Sequence, residues 1–127
     1  MEKNQLKMSN QRFKSWLDSL KNIWERKTPE TILDMCADKF LWYETPFIKP
    51  LTTKKELLKE WNSILNQDNI SFLYKILSVN KNVGIAKWDA TFTRLPSKEE
   101  VSLQGIFQIT LDKKDKCVEF HQWFNTK

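Results

Sequence analysis

Hydrophobic and polar positions alternate through the C-terminal half of the chain. From Val83 it reads V-G-I-A-K-W-D-A-T-F-T-R-L, breaks at P-S-K, resumes as E-V-S-L-Q-G-I-F-Q-I-T-L, breaks at D-K-K-D, and closes as K-C-V-E-F-H-Q-W-F-N. β-Branched and aromatic residues at a period of two, separated by short polar turns, predict three strands of an antiparallel meander. Residues 70–79 have the same character, and Asn80-Lys81-Asn82 turns them into the meander.

The N-terminal half follows a helical period instead. Over 9–26, Phe13, Trp16, Leu17, Leu20, Ile23 and Trp24 form one apolar stripe opposite Lys14, Asp18, Lys21 and Glu25. Ser9 or Asn10 can cap the start, and Arg26-Lys27 suit the end. A second helix is expected from Thr28-Pro29-Glu30, with Ile32, Leu33, Cys36 and Ala37 buried, stopping near Asp38. The run F-L-W-Y-E-T at 40–45 reads as a strand that Pro46 ends, and Pro46 and Pro50 stiffen the connection that follows. Thr53 and Glu56 have capping-box spacing and open a third helix to about Asn66, with Leu57, Leu58, Trp61, Ile64 and Leu65 on one face. Helices first and strands last predict one α+β domain over 1–127, with helices packed on one face of an antiparallel sheet.

Alternation also assigns faces. Ala86, Trp88, Ala90 and Phe92 point to the helices, as do Val101, Leu103, Gly105, Phe107, Ile109 and Leu111. On the last strand Val118, Phe120, Gln122 and Phe124 are taken as inward, and Cys117, Glu119, His121 and Trp123 as outward. Tyr43 and Thr45 are inward on the first strand, which turns Glu44 away. Gly105, inside a strand, is expected at a bulge or bend. Ile85, Ile106 and Trp123 leave apolar groups on the outer face, a candidate homodimer surface.

Composition narrows the function more than it names it. A chain of 127 residues with 40% hydrophobic and 29% charged residues is one globular domain. No apolar run approaches the ~20 residues of a bilayer span, and the first ten residues hold no apolar signal segment, so a cytoplasmic location without membrane contact is expected. Cys36 and Cys117 lie far apart in sequence, as separately buried thiols would. The net charge of +5 raises nucleic-acid binding. Only Arg12, Arg26 and Arg94 are arginines, however, and the lysines are dispersed. A solvated lysine surface is expected and no nucleic-acid partner. Gly84 and Gly105 are the only glycines, so no Gly-rich phosphate loop can form. Cys36, Cys117 and His121 lack zinc-site spacing. Neither metal nor cofactor is expected.

The Trp16-Leu17 stripe, A-D-K-F-L-W-Y-E-T-P at 37–46, the helix at 53–66, A-K-W-D-A-T-F, and K-C-V-E-F-H-Q-W-F-N at 116–125 carry a resemblance. From about 11 to 125 the chain resembles the NTF2-like superfamily, and within it the SnoaL-like proteins. The resemblance implies a cone: three N-terminal helices on a strongly curved mixed or antiparallel sheet, an apolar cavity, and dimers across the outer sheet face. Its members include steroid isomerases, polyketide cyclases, epoxide hydrolases, dehydratases and non-catalytic binding domains. In the steroid isomerases an aspartate just before the strand-closing proline is the base. Thr45 stands there in this chain, and Phe107 stands where those enzymes hold a protonated aspartate. Both roles are therefore empty, and isomerisation of that kind is disfavoured. The implied ligand is a small apolar molecule held by Trp16, Tyr43, Thr45, Trp61, Trp88, Phe107 and Gln122. Two alternatives stand beside it. One is a SnoaL-type isomerase, cyclase or hydrolase using His121 with Glu119 or Glu44. The other is a non-catalytic dimeric interaction module whose tryptophans fill the cavity.

Overall fold

Helix α1 covers Asn10–Arg26, and the computed structural model describes residues 9–127. Residues 1–8, which carry most of the expectation about a signal segment, lie outside the described residues. Ser9 is the residue that caps α1: its Oγ accepts from the Arg12 N–H at 3.1 Å. At the other end Lys27 adopts a left-handed φ of 58°, and the N–H groups of Lys27 and Thr28 return to the carbonyls of Trp24 and Ile23. Phe13, Trp16, Leu17, Leu20 and Ile23 are buried. The solvent side is laced by Lys14–Asp18 and Lys21–Glu25 ion pairs, each at 2.8 Å and one turn apart.

The second expected helix is shorter and tighter. A 3-10 segment spans Pro29–Met35, and strand β1 begins at once, Cys36–Tyr43. Cys36 and Ala37 are therefore strand residues. Thr28 provides no side-chain cap; its hydroxyl meets that of Thr31 instead. Cys36 pairs with Cys117 in the sheet, and that long-range pairing takes over where a helix would have continued. Helix α2, Lys54–Trp61, has the full capping box: Thr53 Oγ1 accepts from Glu56 N–H at 3.1 Å, and Glu56 Oε1 accepts from Thr53 N–H at 3.2 Å. Its α-helical part stops at Trp61, and a 3-10 segment, Asn62–Asn66, completes the stretch expected as one helix.

Four long strands follow: β2 (Gln67–Asn80), β3 (Val83–Arg94), β4 (Glu99–Leu111) and β5 (Cys117–Thr126). The sheet order is β1-β5-β4-β3-β2. β2 to β5 form an antiparallel meander, but β1 joins β5 in parallel, so the sheet is mixed and open. The helices lie on its concave face and close an α+β cone. No helix among the described residues is long and apolar enough to cross a membrane.

Face assignment holds on β3 and over most of β4, where Ala86, Trp88, Ala90, Phe92, Val101, Phe107, Ile109 and Leu111 are buried. It fails at the start of β5. Thr110 pairs with Glu119 but Leu111 with Cys117, so Val118 is an extra residue and Cys117 turns inward, fully buried. The bulge also brings the two free cysteines together across β1 and β5, although about 80 residues separate them in sequence. Burial and the adjoining Cys36 push the Cys117 thiol well above its usual range.

Gly105 marks no bulge, for it pairs with Trp88 in unbroken register. The glycine answers a steric demand. A Cβ there would run into the Trp123 carbonyl oxygen and would meet Phe124 Cβ at 2.8 Å and Trp88 Cε2 at 2.9 Å.

Candidate functional site

The concave face of the sheet and the helices above it enclose a cavity of about 190 Å³. Its walls are mostly aromatic: Trp24 from α1, Trp42 from β1, Trp61 from α2, Trp88 from β3, Phe107 from β4, and Phe120 and Phe124 from β5. Those rings hold one another in place. Trp42 stacks on Phe120 at 3.7 Å, and Trp88 stacks on Phe107 at 5.0 Å. A larger hollow of 490 Å³ on the sheet is walled chiefly by small polar side chains such as Thr91, Ser102 and Thr126. No aromatic side chain lines it.

Five polar side chains reach the aromatic cavity: Glu44, Glu60, Ser63, Gln67 and Gln122. Glu44 is the one with distinctive chemistry. Regular β1 ends at Tyr43, but Glu44, two residues past the buried Trp42, keeps the phase of Trp42 and reaches the same cavity. The expected outward placement of Glu44 is thereby corrected. Trp42 Nε1 donates to its Oε1 at 3.0 Å, and Gln122 Nε2 donates to its Oε2 at 2.6 Å and to its backbone carbonyl at 3.1 Å. Both side-chain contacts favour the carboxylate, yet burial outweighs them. With the charge of Glu60 adding to the effect, the Glu44 carboxyl rises from 4.5 to about 7. A carboxyl that is half ionised near neutral pH can take or give a proton there.

The structure divides the residues assigned from sequence. Trp61, Trp88, Phe107 and Gln122 meet around the cavity. Trp16, Tyr43 and Thr45 are not among its lining residues. Trp16 is buried deeper, its indole N–H bonded to the Met35 carbonyl at 3.1 Å. Tyr43 points to the outer face, since Trp42 beside it faces the core. Thr45 has a buried hydroxyl with no hydrogen-bond partner, as do the indole N–H groups of Trp61 and Trp88.

His121 lies outside the cavity. Its ring stacks on Tyr43 at 4.3 Å and on Trp123 at 5.8 Å, and Nε2 lies 2.7 Å from Glu119 Oε2. This is an outer-face ladder of aromatic rings with a carboxylate beside it. The pairing of His121 with Glu119 as catalytic groups inside the cone is overturned, because both alternate away from Phe120 and Gln122. Glu60, on α2, was not singled out from sequence. Only its place at the end of an amphipathic helix, one residue before Trp61, signalled that it could reach the rim.

The α+β cone thus encloses an aromatic cavity with one half-buried carboxyl in its wall. No protein-family model matches the sequence, and no curated protein matches it. Solved structures do. The epoxide hydrolase/cyclase-like enzyme SalBIII, of pyran ring formation in the polyether salinomycin, superposes with a TM-score of 0.79 at 11% identity over 92% of this chain and 93% of its own. A candidate isomerase from Bacillus subtilis gives 0.79 at 13% identity over 91% of this chain and 87% of its own. A candidate scytalone dehydratase from Novosphingobium aromaticivorans gives 0.75 at 13% identity over 92% and 85%. These are SnoaL-like proteins of the NTF2-like superfamily, and the chain adopts their fold.

Proposed function

We propose that the cavity binds a small, largely apolar organic molecule and that Glu44 transfers a proton to or from it. The carrying observation is one carboxyl, raised to about 7, fixed at both oxygens within aromatic walls. The volume of about 190 Å³ lies below the ~300–1,000 Å³ of sites for drug-sized ligands, which favours a compact substrate. It is also well above the volume of one water, which counts against tryptophans that fill the cone completely. In its ionised form Glu44 would act as base on an acidic C–H or O–H. Protonated, it would act as acid toward a developing alkoxide or enolate. Trp42 and Gln122 orient the carboxylate, and the rings exclude water that would level its basicity. Isomerisation, dehydration and cyclisation all need such a group, in keeping with what the structural neighbours are described as doing. The stacked Tyr43–His121–Trp123 face supports self-association of two copies through the outer sheet.

Proton transfer can be tested before the substrate is known. The protein is incubated in D2O with small cyclic ketones, and α-hydrogen exchange is followed by NMR. Exchange faster than buffer that falls to the buffer rate in Glu44→Gln supports the proposal. Equal rates in both proteins across the ketones would overturn the catalytic role.

A further inference from the structure

We infer that the molecule this cavity takes carries a positively charged amine or quaternary ammonium group, seated between Glu44, Glu60 and the indoles of Trp24, Trp42 and Trp61. The inference rests on the small-molecule role proposed above and adds the charge of the ligand.

Charge is distributed unevenly over the protein. The whole chain carries +5, yet the charged side chains lining the cavity are both glutamates, and no lysine, arginine or histidine is among the described residues that line it. An anionic or strongly electron-rich ligand would meet two like charges and no counter-charge. A neutral ligand would leave the repulsion between Glu44 and Glu60 in place. A cation removes it, and supplies a counter-charge to the Glu44 carboxylate, whose donors Trp42 and Gln122 are both neutral.

The aromatic walls suit the same charge. Trp61 stands at 79° to Trp24 and at 79° to Trp42, with ring centroids 6.2 Å apart in each pair. Indole planes of nearly perpendicular orientation therefore border one space. Two of them are pinned at their polar edge: Trp24 Nε1 donates to Gln67 Oε1 at 2.7 Å, and Trp42 Nε1 donates to Glu44 Oε1 at 3.0 Å. With these two N–H edges engaged in protein hydrogen bonds, what Trp24 and the face of Trp42 not stacked on Phe120 offer a ligand is π-surface, while the Trp61 N–H is without a partner. An indole face is the side-chain surface that attracts an ammonium group best, and the attraction grows when water is excluded. Glu60, exposed on α2, is placed to meet the cation at the rim. Glu44 lies at the wall formed by Trp42 and Gln122. That division leaves the apolar remainder of the ligand against Phe107 and Phe120.

The experiment compares two molecules of the same shape. Choline and its uncharged carbon isostere 3,3-dimethylbutan-1-ol are titrated into the purified full chain by calorimetry at a pH above 7. Binding of choline about tenfold tighter than the alcohol is expected, with the preference reduced in both Glu44→Gln and Glu60→Gln. Glu60 is exposed, so its variant retains the test should Glu44→Gln fail to fold. If the alcohol binds as well as choline, the inference about charge is overturned while the small-molecule cavity stands. If neither binds, both are overturned. A choline preference unchanged in both variants would also contradict the inference, because the carboxylates would then have no part in it.

Discussion

Replacing Glu44 by glutamine should stabilise the protein, and should do so only at higher pH. The side chain keeps its shape and loses its ionisation. Burial beside Glu60 raises the carboxyl from 4.5 to about 7. In the native state the proton is thus held more tightly than in the unfolded chain. Below pH 4.5 both states are protonated and the group is neutral in its effect. Between there and about 7 the native state binds more protons than the unfolded state, so stability falls as pH rises. Above 7 the carboxylate is charged in both states and its whole desolvation cost is present. The rise from 4.5 to about 7, at ~1.4 kcal/mol for each tenfold change in proton affinity, corresponds to about 3 kcal/mol. The amide introduced by Glu44→Gln carries none of that penalty, and its oxygen can still accept from Trp42. For a chain of 127 residues, about 3 kcal/mol corresponds to roughly 10 °C in Tm. Urea unfolding followed by tryptophan fluorescence measures it, on wild type and variant side by side. Other titrating groups are common to both and cancel in the difference. The gap should open from its acid-side value by about 3 kcal/mol on going from pH 4.5 to above pH 7. A gap that stays flat would refute a buried, raised Glu44.

Two further substitutions probe the frame of the site. Gly105→Ala forces a Cβ against the Trp123 carbonyl oxygen, a backbone atom that cannot swing aside, and should cost about 1–3 kcal/mol in unfolding measurements, with altered tryptophan fluorescence from Trp88. Thr53→Ala removes the capping box of α2 and should cost about 1 kcal/mol in the same assay, while the Glu44 titration stays where it was.

Local patterns in the sequence foretold the elements well. The α1 stripe, the capping box at Thr53 and the β3–β4 alternation each involve residues a few positions apart, and neighbouring side chains decide them. The differences arise where distant partners decide. Cys36 leaves the helical pattern because Cys117 pairs with it across the sheet. Nothing local announces that the β1–β5 pair is parallel. One bulged residue, Val118, is enough to reverse Cys117, since a single insertion in a period of two exchanges the faces. The site shows the same division. Trp61, Trp88, Phe107 and Gln122 converge because helical and strand periodicity were enough to place them on one side. Glu44 was misplaced because β1 was given the opposite phase, with Tyr43 inward where Phe40 and Trp42 are the buried residues. Thr45 and Tyr43 were misplaced by the same step of phase. Glu60 looked like any solvent-facing helix charge, and its importance lies in the company of Trp61, Trp24 and Glu44 that only the folded chain provides.

The most direct test of the account is the titration of Glu44 itself. Selective carbon-13 labelling of glutamate side chains, with Glu44→Gln to assign the resonance, gives the midpoint by NMR. A midpoint near 7 is expected, moving downward in Glu60→Gln as the neighbouring charge is removed. A midpoint near 4.5 in the wild type would mean that the carboxylate is solvated and ordinary, and would contradict the proposed proton-transfer site.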